Sequence, residues 1–241
     1  MENSHSTIQT VIDRISHAAQ RSGRTKEDIT LVAVSKQKPI NDIVTAYDLG
    51  IRHFGENRTE ELEKKAIALS HLTELKWHFI GNLQSRQSGS VAQYAHYFHA
   101  IDRLKIAQRL SEKLTALNRD LFVFIQVNVS GEASKSGFQC DNWQHDVEQS
   151  TALIQAIKDI SVLPHLNLLG LMTMAPFDAS EDVYHSIFKN MANLSAYVQK
   201  QLPNVSAQQL SMGMSGDFEI AIEERATYVR IGSAIFGARA K

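Results

Sequence analysis

Ile29–Pro39 reads ITLVAVSKQKP, and the architecture of the chain turns on this stretch. Leu31, Val32, Ala33 and Val34 form an apolar run too short for a helix, and their β-branched content predicts a buried strand. Ser35 and Lys36 follow at once. A lysine at the carboxyl end of a buried strand has its stem among apolar neighbours, where desolvation favours the neutral, nucleophilic amine. The same residue can instead run its stem along the strand end and leave its charge in water. The other strand ends decide between these readings.

Upstream, Ile8, Val11, Ile12, Ile15, Ala18 and Ala19 share one face of a helix expected from Ser6 to Ser22, with Gly23 at its cap. Downstream, Pro39 opens a second helix whose apolar side is Ile40, Ile43, Val44 and Tyr47 and which closes at Gly50. The strand-then-helix unit then recurs. Strands are expected over 51–57 (IRHFGEN), 76–81 (KWHFIG), 97–102 (YFHAID), 121–130, 166–174, 208–214 and 228–237. Intervening helices carry Leu62 and Leu69; Leu104, Ala107, Leu110 and Leu114; the 142–160 segment; and, after Ser180, Tyr184, Ile187, Phe188, Met191, Leu194 and Val198. A short helix is expected near Asp217. Eight strands separated by helices, with no compositional break, favour an α/β fold of the closed (β/α)8 TIM-barrel kind over an open doubly wound sheet. One domain is expected over residues 1–241.

The 121–130 strand sets Leu121, Val123, Ile125, Val127 and Val129 against Phe122, Phe124, Gln126, Asn128 and Ser130. The second face turns polar at its end. In a barrel that face is the lumen, with Gln126 and Asn128 looking toward a ligand; an exposed strand face fits the pattern equally.

A net charge of −1 without a block of like charge leaves no electrostatic footprint for nucleic acid or an anionic membrane. The first residues, MENSHSTIQT, lack a basic and apolar leader, and no apolar run approaches a bilayer span, so a soluble cytoplasmic protein with small-molecule partners is expected. Cys140 is the single cysteine and reads as incidental. The ten histidines read as scattered, and His96 with His99 has no carboxylate grouped for a metal. Glu56 and Glu60 read as the start of a helix.

The loops after the last two strands read SMGMSGD and RIGS. In barrels of this class those loops and a short extra helix hold phosphate. Gly213 and Gly216 let backbone approach a ligand, Ser215 supplies a hydroxyl, and Gly232 and Ser233 add donors; as isolated Gly-Ser loops they are equally ordinary turns. Asp217 would repel a phosphate and is expected at the helix N-cap, facing away.

The segments AVSKQKP, HFGEN, WHFIGNLQS, VNVSGEASKSGF, LLGLMTM, LSMGMSGDFEIAI and VRIGSAIFG together resemble the pyridoxal-phosphate homeostasis (YggS/PROSC) family, in order and over nearly the whole chain. The resemblance implies the barrel domain of alanine racemase standing alone, with pyridoxal 5′-phosphate (PLP) held as an aldimine on Lys36. It implies phosphate contacts at Ser215, Gly232 and Ser233, with Arg230 facing the pyridine nitrogen and Asn57, His78 and Met214 lining the pocket. Lys38 and Lys135 match further lysines able to accept PLP in passing. Arg58, Asn82 and Arg86-Gln87 depart from the family pattern at the mouth of the site.

An arginine facing the pyridine nitrogen leaves that nitrogen unprotonated, because guanidinium stays cationic and accepts no hydrogen bond. Carbanion chemistry is then weakly assisted. The resemblance therefore implies a monomeric carrier in vitamin B6 homeostasis without efficient turnover, with apo PLP enzymes as recipients. The alternatives are a PLP-dependent amino-acid racemase, for which the second base is unidentified, and a lysine aldolase of the same barrel class.

Overall fold

The structure, a computed structural model, describes the backbone of residues 2–237 and the side chains of residues 6–237; the ends of the expected 1–241 span lie outside these described residues. Helix α1 (Glu2–Arg21) leads into β1 (Thr30–Val34) and α2 (Ile40–Asp48). Then follow β2 (His53–Glu56), α3 (Thr59–Ala68), β3 (Lys76–Phe79), α4 (Ser88–Tyr94), β4 (Tyr97–Ile101), α5 (Leu104–Leu117) and β5 (Leu121–Asn128). The chain continues through β6 (Phe138–Gln139), α6 (Val147–Ser161), β7 (Leu166–Met172), α7 (Glu181–Gln201), β8 (Gln209–Ser211), α8 (Phe218–Glu223), β9 (Tyr228–Ile231) and α9 (Ser233–Phe236).

The strands pair in the order β4-β3-β2-β1-β9-β8-β7-β5, all parallel, and β4 also pairs with β5, which closes a barrel of eight. The TIM barrel expected from the strand–helix alternation is therefore present. The two-residue β6 adds to the end of β5 outside the ring. Because all eight strands run the same way, the turns that follow β1, β8 and β9 lie on one rim.

The core has two layers. Outside the ring, helices bury one face each: Ile8, Val11, Ile15, Ala18 and Ala19 from α1, and Phe188, Met191, Leu194 and Val198 from α7. Inside it, rings on strands that are not neighbours touch, Tyr97 of β4 lying 6.1 Å from Tyr228 of β9, which only the lumen allows. Strand alternation places Val32 and Val34 on this inner side with Gly55, whose missing Cβ would lie 3.2 Å from Val32 and 3.5 Å from Val34. Barrel closure leaves no room for a side chain at Gly170, where a Cβ would stand 1.8 Å from the Gln209 carbonyl oxygen.

The structure departs from the expected elements in several places. The last strand ends at Ile231 instead of Gly237, because Gly232 turns the chain into α9. The helix expected from Asn142 begins only at Val147, where Asp146 accepts the N–H groups of Glu148 and Gln149 as a cap. Helix α4, poor in large apolar residues, was not legible as a periodic segment. Glu56 does not start a helix: it ends β2 and is fully buried. No helix among the described residues is long and apolar enough to cross a membrane.

Candidate functional site

The site is built from the carboxyl ends of β1, β2, β8 and β9. Past Val34 the chain enters a tight turn at Lys36 and Gln37, closed by the Lys38 N–H on the Ser35 carbonyl at 3.0 Å. Alternation continues the inner row Val32, Val34 to Lys36, which is half-buried at the rim, while Ser35 points outward to Glu56 as a regular strand end requires. Beside it, Gly232 presses on β1: a Cβ there would lie 3.3 Å from the Val34 carbonyl oxygen. The N–H groups of Gly232 and Ala234, opening α9, converge on Ser215 Oγ at 3.2 and 3.4 Å. Lys36, Gly232, Ser233, Ser215 and Met214 thus share one rim, as the sequence reading required.

Asp217 stands at the N-cap position of α8, but its side chain caps none of that helix's N–H groups. It accepts the Met214 N–H at 2.5 Å instead. Burial raises its pKa, opposed by that N–H and by the charge of Arg230. The expected capping role is not seen, because the carboxylate is taken by the Met214 N–H instead.

Arg230 lies deeper, on the lumen side of β9, and is buried. Its guanidinium donates to Ser211 Oγ (2.5 Å) and to the Thr173 carbonyl (3.0 Å). Burial lowers its pKa to about 10, partly offset by Asp217, so it remains cationic at neutral pH. From Ser211 a hydrogen-bonded chain crosses the lumen: Ser211 Oγ to His99 Nδ1 (2.7 Å), His99 Nε2 to His78 Nδ1 (2.8 Å), and His78 Nε2 to His53 Nδ1 (2.8 Å). Burial drives His78 and His99 well below the ordinary histidine range, reinforced by neighbouring histidines and, for His99, chiefly by Arg230. His53 falls to about 4 through burial and the nearby charge of Lys76. His78, expected to line the pocket, is fully buried inside this chain.

The lumen histidines were missed as a group. The usable signal was position: His53, His78 and His99 stand in three successive strands, each on the inward parity. His96 is separate and accepts the Trp77 N–H at 3.0 Å.

Asn57 follows β2, and its backbone is packed so tightly on the next turn that a Cβ at Gly81 would meet its carbonyl oxygen at 2.2 Å. Asn128 does not look toward a ligand, because both its amide atoms hold the 130–132 turn. Gln126 donates to the Ser136 carbonyl at 2.9 Å, while its Oε1 is buried without a protein partner. Lys135 bridges loops, reaching Ser130 Oγ, Glu132 Oε1 (2.5 Å) and the Met174 carbonyl (3.0 Å). Lys38 Nζ donates to the Phe236 carbonyl at 2.6 Å. Cys140 is buried, and burial pushes its thiol up to about 12, so it is unreactive.

The donor set suits a phosphorylated heteroaromatic aldehyde. Two convergent backbone N–H groups already hold one oxygen, the hydroxyl of Ser215; a donor-only cation sits deeper; and a lysine stands at the same rim.

Residues 10–240 match the family model of the alanine racemase N-terminal domain. A Pseudomonas aeruginosa relative named pyridoxal phosphate homeostasis protein is 44% identical over 232 residues, covering 96% of this chain and 94% of its own length. The Escherichia coli K12 protein of the same name is also 44% identical over 232 residues, covering 95% of this chain and 94% of its own. Among solved structures, Synechococcus elongatus PipY with PLP bound superposes with a TM-score of 0.79 at 30% identity, covering 91% of this chain and all of that one. An alanine racemase from Clostridium difficile shares the fold at TM-score 0.67 and 16% identity, covering 95% of this chain but 57% of that enzyme. With a closed barrel, a rim that gathers the lysine and the two glycine turns, and near-full-length relatives of one name, this chain belongs to the pyridoxal phosphate homeostasis family, built on the alanine racemase N-terminal domain.

Proposed function

We propose that this chain binds pyridoxal 5′-phosphate and stores it reversibly for vitamin B6 homeostasis, with Lys36 as the covalent anchor. The supporting observation is the rim itself: the end of β1 at Val34, two residues before Lys36, packs against Gly232, whose N–H and that of Ala234 converge on Ser215 Oγ. In this reading Ser215, Ser233 and the N–H groups at Gly232 and Ser233 take the phosphate. Arg230 meets the ring nitrogen, and Asn57, His78 and Met214 bound the pocket, His78 from inside the lumen chain. The bound aldehyde would supply reversible imine exchange.

Arg230 argues for storage over turnover. It is held as a cation by the Ser211 hydroxyl, the Thr173 carbonyl and the charge of Asp217, and it can only donate. A ring nitrogen facing it keeps no proton, so electron withdrawal from a bound amino acid is weak. Lys38 and Lys135 are engaged with the Phe236 carbonyl and with Glu132, and would take PLP only by giving up those contacts. The protein in this reading acts as a cytoplasmic monomer, with apo PLP enzymes as recipients.

The test is the absorption spectrum of purified protein with PLP before and after borohydride, followed by peptide mapping. An imine band that disappears on reduction, with the adduct on Lys36 and lost in Lys36→Ala, supports the reading. A principal adduct on Lys38 or Lys135 overturns the anchor, and rapid loss of optical activity from L-alanine overturns the storage role.

A further inference from the structure

The turn that carries Lys36 is held from outside the barrel by a buried ion cluster. Gln37, the residue after Lys36, has φ 60°, a left-handed conformation unfavourable for a side chain of its size. Such a turn persists when its surroundings over-determine it. On one side of Lys36, the Ser35 hydroxyl donates to Glu56 Oε1 at 2.6 Å and the Ser35 carbonyl accepts from Lys65 Nζ at 2.9 Å. On the other side, the Gln37 N–H donates to Glu61 Oε2 at 2.8 Å. Lys65 joins the two grips, donating to Glu56 Oε1 at 2.9 Å and to Glu61 Oε2 at 3.0 Å.

Stability alone does not account for these residues. Glu56 is fully buried, Lys65 is 5% exposed, and Glu56 Oε2 has no protein partner. Replacing a buried ion pair with apolar residues is often neutral or stabilising. What the cluster does have is geometry: its hydrogen bonds to Ser35 and to Gln37 grip the residue before and the residue after Lys36.

We infer that Glu56, Lys65 and Glu61 are positioning residues for Lys36, clamping the backbone on both sides of it so that its amine is presented to the lumen mouth in one direction. The inference rests on the reading of Lys36 as the anchor. Condensation of that amine with an aldehyde forms a C=N bond and releases water. It requires the amine at the carbonyl carbon while the phosphate and ring nitrogen are held by other strands, so freedom in the turn slows it directly.

The test uses the full chain carrying Glu56→Gln with Lys65→Met, which removes both buried charges and the grip on the Ser35 carbonyl. Two readouts are taken: amide exchange of residues 35–38 without ligand, and the distribution of borohydride-trapped PLP among Lys36, Lys38 and Lys135. The inference expects a melting temperature near that of the native chain, amide exchange faster by about tenfold or more, and a smaller share of adduct on Lys36. A folded variant with unchanged exchange overturns it, and so does faster exchange with an unchanged distribution, which would make the cluster merely structural. Should the double variant fail to fold, Ser35→Ala and Glu61→Gln carry the same readouts with the same outcomes. If the native chain traps PLP elsewhere than Lys36, the anchor reading fails; exchange alone then decides the clamp, faster supporting it and unchanged overturning it.

Discussion

Replacing Glu56 by glutamine isolates the energetic cost of the buried carboxylate behind the Lys36 turn. Burial pushes the Glu56 pKa up to about 7, with the charge of Lys65 and the Ser35 hydroxyl pulling the other way. The ordinary value is 4.5, so the folded state holds this proton over a window in which the unfolded chain has released it. A raised folded pKa means that the group's contribution is fully present below about 4.5 and is lost as pH climbs through about 7. At about 1.4 kcal/mol per unit, the native chain should lose roughly 2 to 3 kcal/mol through this one group between about pH 5 and pH 8. Glu56→Gln lacks that slope and keeps an acceptor for Ser35. Urea unfolding of both proteins at the two pH values gives the result as a double difference, which removes all pH dependence the proteins share. The glutamine variant should gain on the native chain by that amount as pH rises. A difference that stays constant within about 0.5 kcal/mol would refute the reasoning, because Lys65 and Ser35 would then fully compensate the burial.

The lumen histidines make the opposite prediction in acid. His53 has its pKa lowered to about 4, and burial holds His78 and His99 well below the ordinary histidine range, so their contribution is present above the ordinary 6.5 and is lost as pH falls below it. Side-chain nitrogen NMR should find His78 and His99 neutral at pH 6, and titration of either in the folded protein near 6.5 would contradict the buried chain. Arg230 donates one hydrogen to Ser211, which leaves the serine hydrogen for His99 Nδ1; the same spectra should show His99 and His78 protonated at Nε2, and Ser211→Ala should disturb His99 most. Gly81→Ala should cost about 3 kcal/mol or more, since its Cβ would meet the Asn57 carbonyl oxygen at 2.2 Å; a near-native denaturation midpoint would show that this turn yields. Arg230→Met strands the Thr173 carbonyl in the lumen and should cost roughly 1 to 3 kcal/mol, read in the same unfolding experiment, and in a PLP-bound protein it should shift the pH dependence of the visible absorbance.

The sequence by itself determined the ring of strands. Short β-branched runs such as Leu31–Val34, alternating with amphipathic helices such as the Tyr184–Val198 face, have few ways to bury themselves other than a parallel barrel, and parallel strands bring the SKQ, SMGMSG and RIGS turns to one rim. Spacing and residue type are local quantities, so Lys36, Ser215, Gly232 and Arg230 could be singled out before any contact was known. Only the tertiary structure decided what the polar residues between them do. Glu56 reads as a helix start until β2 is seen to end on it, with α3 bringing Lys65 across from nine residues further along the chain. His53, His78 and His99 read as scattered until curvature of the sheet stacks their inward positions into one hydrogen-bonded chain reaching Ser211, 112 residues beyond His99. Burial and partner choice are properties of the closed ring, which sets the distance between residues far apart in sequence, and no local pattern encodes that distance.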